Sequence, residues 1–438
     1  MGEIQQFTTS ALVKPALVGL ELNTKFKPKK QEMTEHLKHP GPLEGIRVLE
    51  LGQLIAGPFT GCLLGYYGAE VIKVEVPGRG DAMREWGHHR YKNRGLWWPI
   101  LARNKKSVTA NLRDPRGQDL VRRLIKTADV LVENFKPGTL EKWGLSPEAL
   151  HKINPGLVIA RVSGFGQTGP YSDRPGFASV GEAMGGLRYI NGYPDQPPPR
   201  TGISLGDSLA GLFAVQGVLM ALYWRDGAGN GKGQVVDASI MESCFAMMES
   251  ALSEFDTVGF IREPSGTGLA NVSPSNIFPT RDGKWVVIAA NLDPMFKRLC
   301  QAMDQLDLAE NPRYSTHQVR GENCDELDAL IADWTRQFTA TELDARLGEN
   351  GVVCGPIYSI EDIASDPHYL ERDMICRFQD EELGEIAVPG FVPKLSETKS
   401  EIAWLGPSTV GAHNEAVYSE LLGLSEEELR GLKNDGII

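Results

Sequence analysis

Ile46-Arg47-Val48-Leu49-Glu50-Leu51, then Gly52, a segment of helical length from Pro58 to Tyr67, and Ala69-Glu70-Val71-Ile72-Lys73-Val74-Glu75 make up the stretch that decides the fold. Two short apolar runs of strand character flank one helix-length segment, which is the spacing of a βαβ unit in a parallel sheet. The alternation continues downstream. Asp114-Pro115 places an N-cap before a proline at the first helical position and opens an amphipathic helix through Leu120, Val121, Leu124 and Ile125. Ala128 to Phe135 reads as a buried strand, Ser146 as the cap of a short helix containing Leu150, and Leu157 to Ser163 as the next strand. As far as about residue 165 the chain predicts a doubly wound α/β domain.

After turn-rich stretches at 164–174 and 192–200, a charge-poor region from Ser208 to about Trp224 predicts a long buried helix, and a methionine-rich one starts near Ser239. The pattern breaks around Gly266, Gly268 and Pro274. Asn276 to Ala290 then reads as two strands joined at Arg281-Asp282-Gly283, and with the helices of 293–349 it predicts a smaller α+β domain. The C-terminal part, with Val388-Pro389-Gly390 and Pro393-Lys394-Leu395, is proline-punctuated and extended before a final acidic helix. The expected organisation is an N-terminal arm at 1–40, the first part of the large domain at 41–240, a linker helix and small domain at 241–350, and a return segment at 351–438. At 438 residues the chain exceeds what one core usually organises.

The formal net charge of -12 argues against nucleic acid as a partner, because phosphate backbones are bound by basic faces. Cys62, Cys244, Cys300, Cys324, Cys354 and Cys376 lie far apart without a C-x-x-C pair, so reduced thiols are expected. The histidines form no H-x-x-x-H pattern, His88 and His89 read as surface loop residues, and no metal site is expected. No apolar run approaches the roughly 18 residues needed to cross a bilayer, and the N-terminus lacks a signal-peptide pattern. Lys14, Lys25, Lys27, Lys29 and Lys30 without arginine, but with acidic residues among them, fit a mitochondrial transit peptide poorly. A cytoplasmic protein with no membrane partner is the expectation.

Gly52-Gln53-Leu54-Ile55-Ala56-Gly57-Pro58 lacks G-x-G-x-x-G and puts proline where an amide would face a pyrophosphate, so nicotinamide chemistry is not expected even though Glu75 ends the second strand. Gly164-Phe165-Gly166-Gln167-Thr168-Gly169 matches that pattern, but Pro170 and the turn residues beyond it open no helix. Arg103, Lys105, Lys106 and Arg113, with Lys136 and Lys142 further on, suit either a phosphate-bearing ligand at the strand ends or a solvated charged surface. Gly202-Ile203-Ser204-Leu205-Gly206 matches the serine-hydrolase elbow, yet a proline-rich loop precedes it instead of a strand. Asp207 follows directly at the head of the long helix, where a carboxylate reads as an N-cap or as a functional group.

Taken in order, Pro42-Leu43-Glu44-Gly45-Ile46-Arg47-Val48-Leu49, Ala56-Gly57-Pro58, Gly68-Ala69-Glu70-Val71-Ile72-Lys73-Val74-Glu75, Arg103-Asn104-Lys105-Lys106-Ser107, Asp129-Val130-Leu131-Val132-Glu133-Asn134-Phe135, Gly164 to Pro170 and Gly231-Lys232-Gly233-Gln234 resemble the family III CoA-transferases of the formyl-CoA and carnitine type. The resemblance covers nearly all of 42–438. It implies an α/β fold with a Rossmann-like large domain and a smaller α+β domain in an interlocked dimer. The dimer would be a homodimer or, alternatively, a heteromer with a related subunit. Coenzyme A thioesters and carboxylic acids would be the substrates, with no permanently bound cofactor. Asp207 matches the family's nucleophilic aspartate. Gln53, Ile55 and Ala56 would contact CoA beside the thioester, and Leu112, Arg113, Asn134, Phe135 and Lys142 would surround its nucleotide end. Val76 stands where some members have arginine, with Arg79 as a substitute. Gly266 and Gly268 match the family's mobile glycine loop.

An aspartate with an ordinary pKa of about 3.9 needs no general base, and by analogy Asp207 passes through an anhydride to an aspartyl-CoA thioester. The α-methylacyl-CoA racemases share the fold, but where they carry a histidine this chain has Phe177, and proton transfer needs that second group. Gly138 to Leu145 and Pro393 to Thr398 look most like members that use succinyl-CoA and dicarboxylic acceptors. Arg174 or Arg200 would then bind the distal carboxylate.

Overall fold

The computed structural model describes residues 41–438 apart from His88, Ala270 and Glu381. The expected N-terminal arm, residues 1–40, and His88 lie outside the described residues. The first sheet has strands β1 (Arg47–Glu50), β2 (Glu70–Glu75), β3 (Lys105–Thr109), β4 (Val130–Glu133), β5 (Val158–Ser163) and β6 (Val235–Ser239) in the order β3-β2-β1-β4-β5-β6. All its pairings are parallel. This is the order of a doubly wound nucleotide-binding sheet, in which the connections reverse direction between β1 and β4 and open a crevice at the carboxyl ends of those strands.

Side chains alternate across the pleat, so consecutive residues serve opposite faces. Leu49, Ile72 and Leu131 join one core with Leu120, Val121 and Leu124 of helix α2 (Pro115–Ile125), while Val48, Val71 and Val130 join another with Leu64 of helix α1 (Ala56–Tyr66). Covering both faces is why these strands read as continuous apolar runs. The caps read from sequence are in place: Asp114 accepts from the Arg116 amide and Ser146 from the Ala149 amide.

Helix α3 (Ala178–Met184) leads to the long helix α4 (Leu205–Asp226), which packs Val218, Ala221 and Leu222 onto the sheet. α4 begins three residues before the expected start. It also corrects the expectation that no segment is long and apolar enough to cross a bilayer: within its 22 residues a stretch of 18 reaches a mean hydropathy of 1.6. Glycine, alanine and serine interleave with its larger apolar residues, so it does not stand out as a continuous apolar run. β6 was not expected either. It is an edge strand of alternating exposure, and its last residue, Ser239, is also the cap of helix α5 (Ile240–Phe245).

A second sheet is antiparallel, with β7 (Ser275–Pro279), β8 (Trp285–Ala289) and β9 (Val353–Pro356) in the order β9-β8-β7. Its core, with Phe278, Val286, Ile288, Phe296, Leu327 and Leu343 among others, is separate from those of the first sheet. The β7–β8 turn falls at the expected Arg281-Asp282-Gly283, with Gly283 at φ +73°. β9 lies beyond residue 350, so the smaller sheet takes in residues that the sequence reading assigned to the return segment. A hairpin, β10 (Ile375–Asp380) and β11 (Gly384–Pro389), follows. The chain then returns along β3: Asn414 Oδ1 accepts from the Thr109 amide at 2.7 Å and the Tyr418 hydroxyl donates to the Thr109 carbonyl at 2.7 Å, which covers that edge.

At the carboxyl end of β1 the carboxylate of Glu50 is fully buried. Lys73 Nζ of β2 lies 3.1 Å from it and Lys105 Nζ of β3 lies 2.7 Å away. Lys73 also pairs with Asp81 at 2.8 Å and donates to the Gly52 carbonyl, while Lys105 donates to the Pro58 carbonyl at 2.6 Å. Burial opposes the charge of Lys73, but Asp81 and Glu50 outweigh it and hold its pKa above the ordinary lysine value. Gly61 of α1 is required here, because a Cβ at that position would overlap Glu50 Oε2. Removing one member of a buried ion network leaves charge uncompensated. Lys105→Met is therefore expected to lower the unfolding free energy by about 3 kcal/mol, and Lys105→Met with Glu50→Gln to recover part of that loss, both read from urea denaturation.

Candidate active site

The crevice between β1 and β4 is held by one side chain. Asn134, just past β4, accepts from the Gln53 amide at 2.7 Å and donates to the Gln53 carbonyl at 2.8 Å. Gly52 and Gly57 pack against the same amide, and Leu54 turns with φ +64° while its N–H reaches Asp81 Oδ1 at 3.1 Å. The loop therefore has a fixed path into α1. Gln53 is half-buried, whereas Ile55 and Ala56 are buried at the start of α1. Leu112 and Phe135 are both half-buried against the core on the α2 face, and Phe135 stacks edge-on against Trp143 with ring centres 5.1 Å apart. Arg113 and Lys142 are exposed, and neither forms an ion pair among the described residues. Val76 and Arg79 are both exposed just beyond β2.

The other basic residues are already engaged. Lys105 belongs to the Glu50 network, Lys106 pairs with Glu70 at 2.7 Å, and Arg103 donates to the carbonyls of Ile100 and Pro389 at 2.7 and 2.5 Å. These three hold the fold together and do not form a free phosphate-binding patch. Glu75 is likewise held by Arg84 at 2.7 Å and by Ser107. The glycine pattern at 164–169 forms turns, with Gly166 and Gly169 at φ +90° and +86°. No strand leads into Ser204, which precedes α4 directly and makes no side-chain cap bond, so the hydrolase elbow is absent.

Asp207 is the third residue of α4, so it is not the N-cap considered from sequence. Its carboxylate makes no hydrogen bond among the described residues. Helices α3, α4 and α5 meet here through small residues: a Cβ on Gly206 would press on Ile240 and Glu182, and one on Gly181 would overlap Ile240. That close approach brings Glu182 of α3 to the head of α4, where its Oε1 accepts from the Gly206 amide at 3.0 Å. Glu182 is 2% exposed. Burial first, and then the charge of Glu182, push the pKa of Asp207 up to about 6. Burial, Glu182 and Asp207 together push the nearby Cys244 thiol up to about 11. Sequence reasoning missed Glu182 because a single acid in a short apolar helix carries no motif.

A cavity of about 270 Å³ opens beside Glu182, and Leu205 at the head of α4 forms part of its wall. Asn191 and Pro199 line it from the loop between α3 and α4. Gly266, at φ +71°, donates its N–H to the Gly192 carbonyl at 2.9 Å, so it abuts that loop. Gly268 lies against Asn276, and its carbonyl accepts from Ser265 Oγ at 2.7 Å. Arg174 is exposed and stacks over Tyr171 at 3.9 Å. Arg200 donates to the carbonyls of Thr201 and Ile203. The structure thus gathers Gln53 with Asn134, and Asp207 with the unforeseen Glu182, while Leu112 and Phe135 each pack against the same core.

Residues 43–414 match the profile of CoA-transferase family III. The chain is 55% identical over 399 residues to a succinyl-CoA–D-citramalate CoA-transferase of Chloroflexus aurantiacus, covering 91% of this chain and 98% of that one. It is 41% identical over 399 residues to the alpha subunit of a succinyl-CoA–L-malate CoA-transferase of Chloroflexus aurantiacus, covering 91% and 92%. Among solved structures, a CAIB/BAIF family protein from Brucella suis superimposes with a TM-score of 0.78 at 32% identity, covering 87% of this chain and all of the other. A sheet of this order, an aspartate at the head of α4 without a partner among the described residues, and a family match across both sheets agree: the chain is an enzyme of CoA-transferase family III.

Proposed function

We propose that this enzyme moves CoA from succinyl-CoA to a dicarboxylic acid, with Asp207 as the nucleophile. The observation that carries this reading is the Asp207 carboxylate, held at the first turn of α4 with no hydrogen bond to quench its nucleophilicity. The choice of donor and acceptor class is supported by the names of the relatives. Asp207 attacks the thioester carbonyl carbon, the C–S bond breaks, and CoA thiolate leaves a mixed anhydride behind. The thiolate then attacks the aspartyl carbonyl of the anhydride and expels the donor acid as its carboxylate. The acceptor carboxylate repeats both steps in reverse and restores Asp207. The first-turn amides of α4 and the positive end of its dipole favour negative charge developing at this position.

A dimer fits this reading, because the outer face of α4 exposes Leu219, Met220, Tyr223 and Trp224, and contiguous apolar surface of this kind marks an interface. An interlocked homodimer is our first choice. The alpha-subunit name of one relative favours a second possibility, pairing with a related chain.

Incubation with succinyl-CoA is expected to leave CoA covalently attached to the Asp207 peptide, read by mass spectrometry, and Asp207→Asn to abolish the adduct. If no donor labels the protein while solvent deuterium exchanges into a 2-methylacyl-CoA, proton transfer replaces group transfer as the activity. Because Asp207 titrates near 6, the labelling rate should fall about tenfold per pH unit well below that value, as only the carboxylate attacks. The same shift has a cost in stability. The folded state binds the Asp207 proton more tightly than the unfolded state, so this group favours folding at low pH and the benefit is lost as pH rises from about 4 to 6. Asp207→Asn is accordingly expected to raise the unfolding free energy at pH 8 by about 1 kcal/mol and to have little effect at pH 4, as read by urea denaturation.

A further inference from the structure

The arginines of this chain divide sharply by what they touch. Among the described residues, every other arginine that is buried or half-buried donates to a carboxylate, a side-chain amide or a backbone carbonyl: Arg47, Arg84, Arg94, Arg103, Arg122, Arg123, Arg161, Arg225, Arg262, Arg320 and Arg346 all do so. Arg188 is half-buried and its guanidinium has no such partner. It lies on the wall of the cavity beside Glu182, where its backbone N–H closes the turn after α3 onto the Glu182 carbonyl at 3.3 Å. The Arg188 guanidinium, without a partner among the described residues, is therefore open to a ligand in the cavity, and a carboxylate meeting it in two parallel hydrogen bonds is the best-matched one.

We infer that Arg188 binds the distal carboxylate of the dicarboxylic substrate and is the residue that selects diacids over monoacids. This inference rests on the transferase reading above. Glu182 relates the cavity to the nucleophile: it lines the wall together with Arg188, and it is close enough to Asp207 for its charge to act on that carboxylate. Ile190 and Pro199 supply apolar surface for the methylene chain, and Asn191 and Thr201 supply polar groups beside the guanidinium. Arg188 is also the one cation on that wall. Glu182 faces the same space, and its carboxylate would repel a second anion, so an incoming diacid needs an opposing positive charge. Arg174, stacked on Tyr171 outside this wall, and Arg200, bonded to its own loop, are less suited to that role.

Succinyl-CoA and butyryl-CoA carry four-carbon acyl chains that differ in a terminal carboxylate against a methyl group, so they isolate this contact. The measurement is the single-turnover rate at which each donor labels the Asp207 peptide. The unsubstituted protein is expected to react faster with succinyl-CoA. Arg188→Met should slow succinyl-CoA labelling roughly a hundredfold and leave butyryl-CoA labelling within about threefold, because the lost interaction is a charge-assisted bidentate pair. Arg188→Lys, which keeps the charge and loses the planar fork, should fall between them. Equal reactivity of the two donors in the unsubstituted protein, or an equal slowing of both by Arg188→Met, would overturn the inference while leaving Asp207 chemistry standing. Failure of every donor to label the unsubstituted protein would overturn the transferase reading and this inference with it.

Discussion

Glu50 is taken wholly out of water at the carboxyl end of the central strand, and the geometry of the crevice depends on what keeps it there. Its two lysine partners come from the neighbouring strands β2 and β3, so one carboxylate ties three strands together. Those lysines also bond the carbonyl of Gly52, in the loop that leads from β1 into α1, and that of Pro58, in the first turn of α1. Asp81, the other acid on Lys73, then holds the Leu54 amide within that loop. A buried ion pair by itself is weak evidence of stabilisation, since desolvation offsets much of the attraction. Its effect here is positional: the network holds the Gly52 carbonyl and the Leu54 amide of the loop facing the crevice, and Asn134 closes the loop from the β4 side.

The head of α4 shows the opposite treatment of charge. Asp207 is half-buried, faces the like charge of Glu182 and has no counter-ion among the described residues, an arrangement that raises the energy of its ionised form. A carboxylate stabilised by an arginine would be a poorer nucleophile, because bond formation would have to displace that partner. In the proposed reaction, the fold would accept a less stable ground state at the one position where the carboxylate reacts, as active sites commonly do. Close packing makes this possible. Glycines at 181 and 206 let α3, α4 and α5 approach until Glu182 and Asp207 share one environment.

Of the architecture, four of the six strands of the parallel sheet, β1, β2, β4 and β5, and helices α1 and α2 were legible, because strands buried on both faces are largely apolar and Asp114 and Ser146 mark helix starts. β3, which opens on Lys105-Lys106 and reads as a basic cluster, was not, nor were β6 and β9. Val235-Val236-Asp237-Ala238-Ser239 and Val353-Cys354-Gly355-Pro356 are short edge strands, one merging into a helix cap and the other ending in glycine and proline, so they become strands only through the partner they pair with. At the proposed site, Asp207, Gln53 and Asn134 were singled out only by resemblance to a family. Glu182 and Arg188 carry no motif.

Arg103, Lys105 and Lys106 show where reading by residue type ends. From the sequence they are a cluster of positive charge suited to phosphate. In the structure each is satisfied internally, and Lys105 meets Glu50 from 55 residues further along the chain. The sequence by itself determined where apolar residues recur, hence the alternating strands and helices and the doubly wound class, because periodicity is local and survives without knowledge of contacts. Only the tertiary structure decided which charges are neutralised and which remain available, because an ion pair depends on distance in space between residues remote in sequence, and burial then sets whether the charge is held or offered to a ligand.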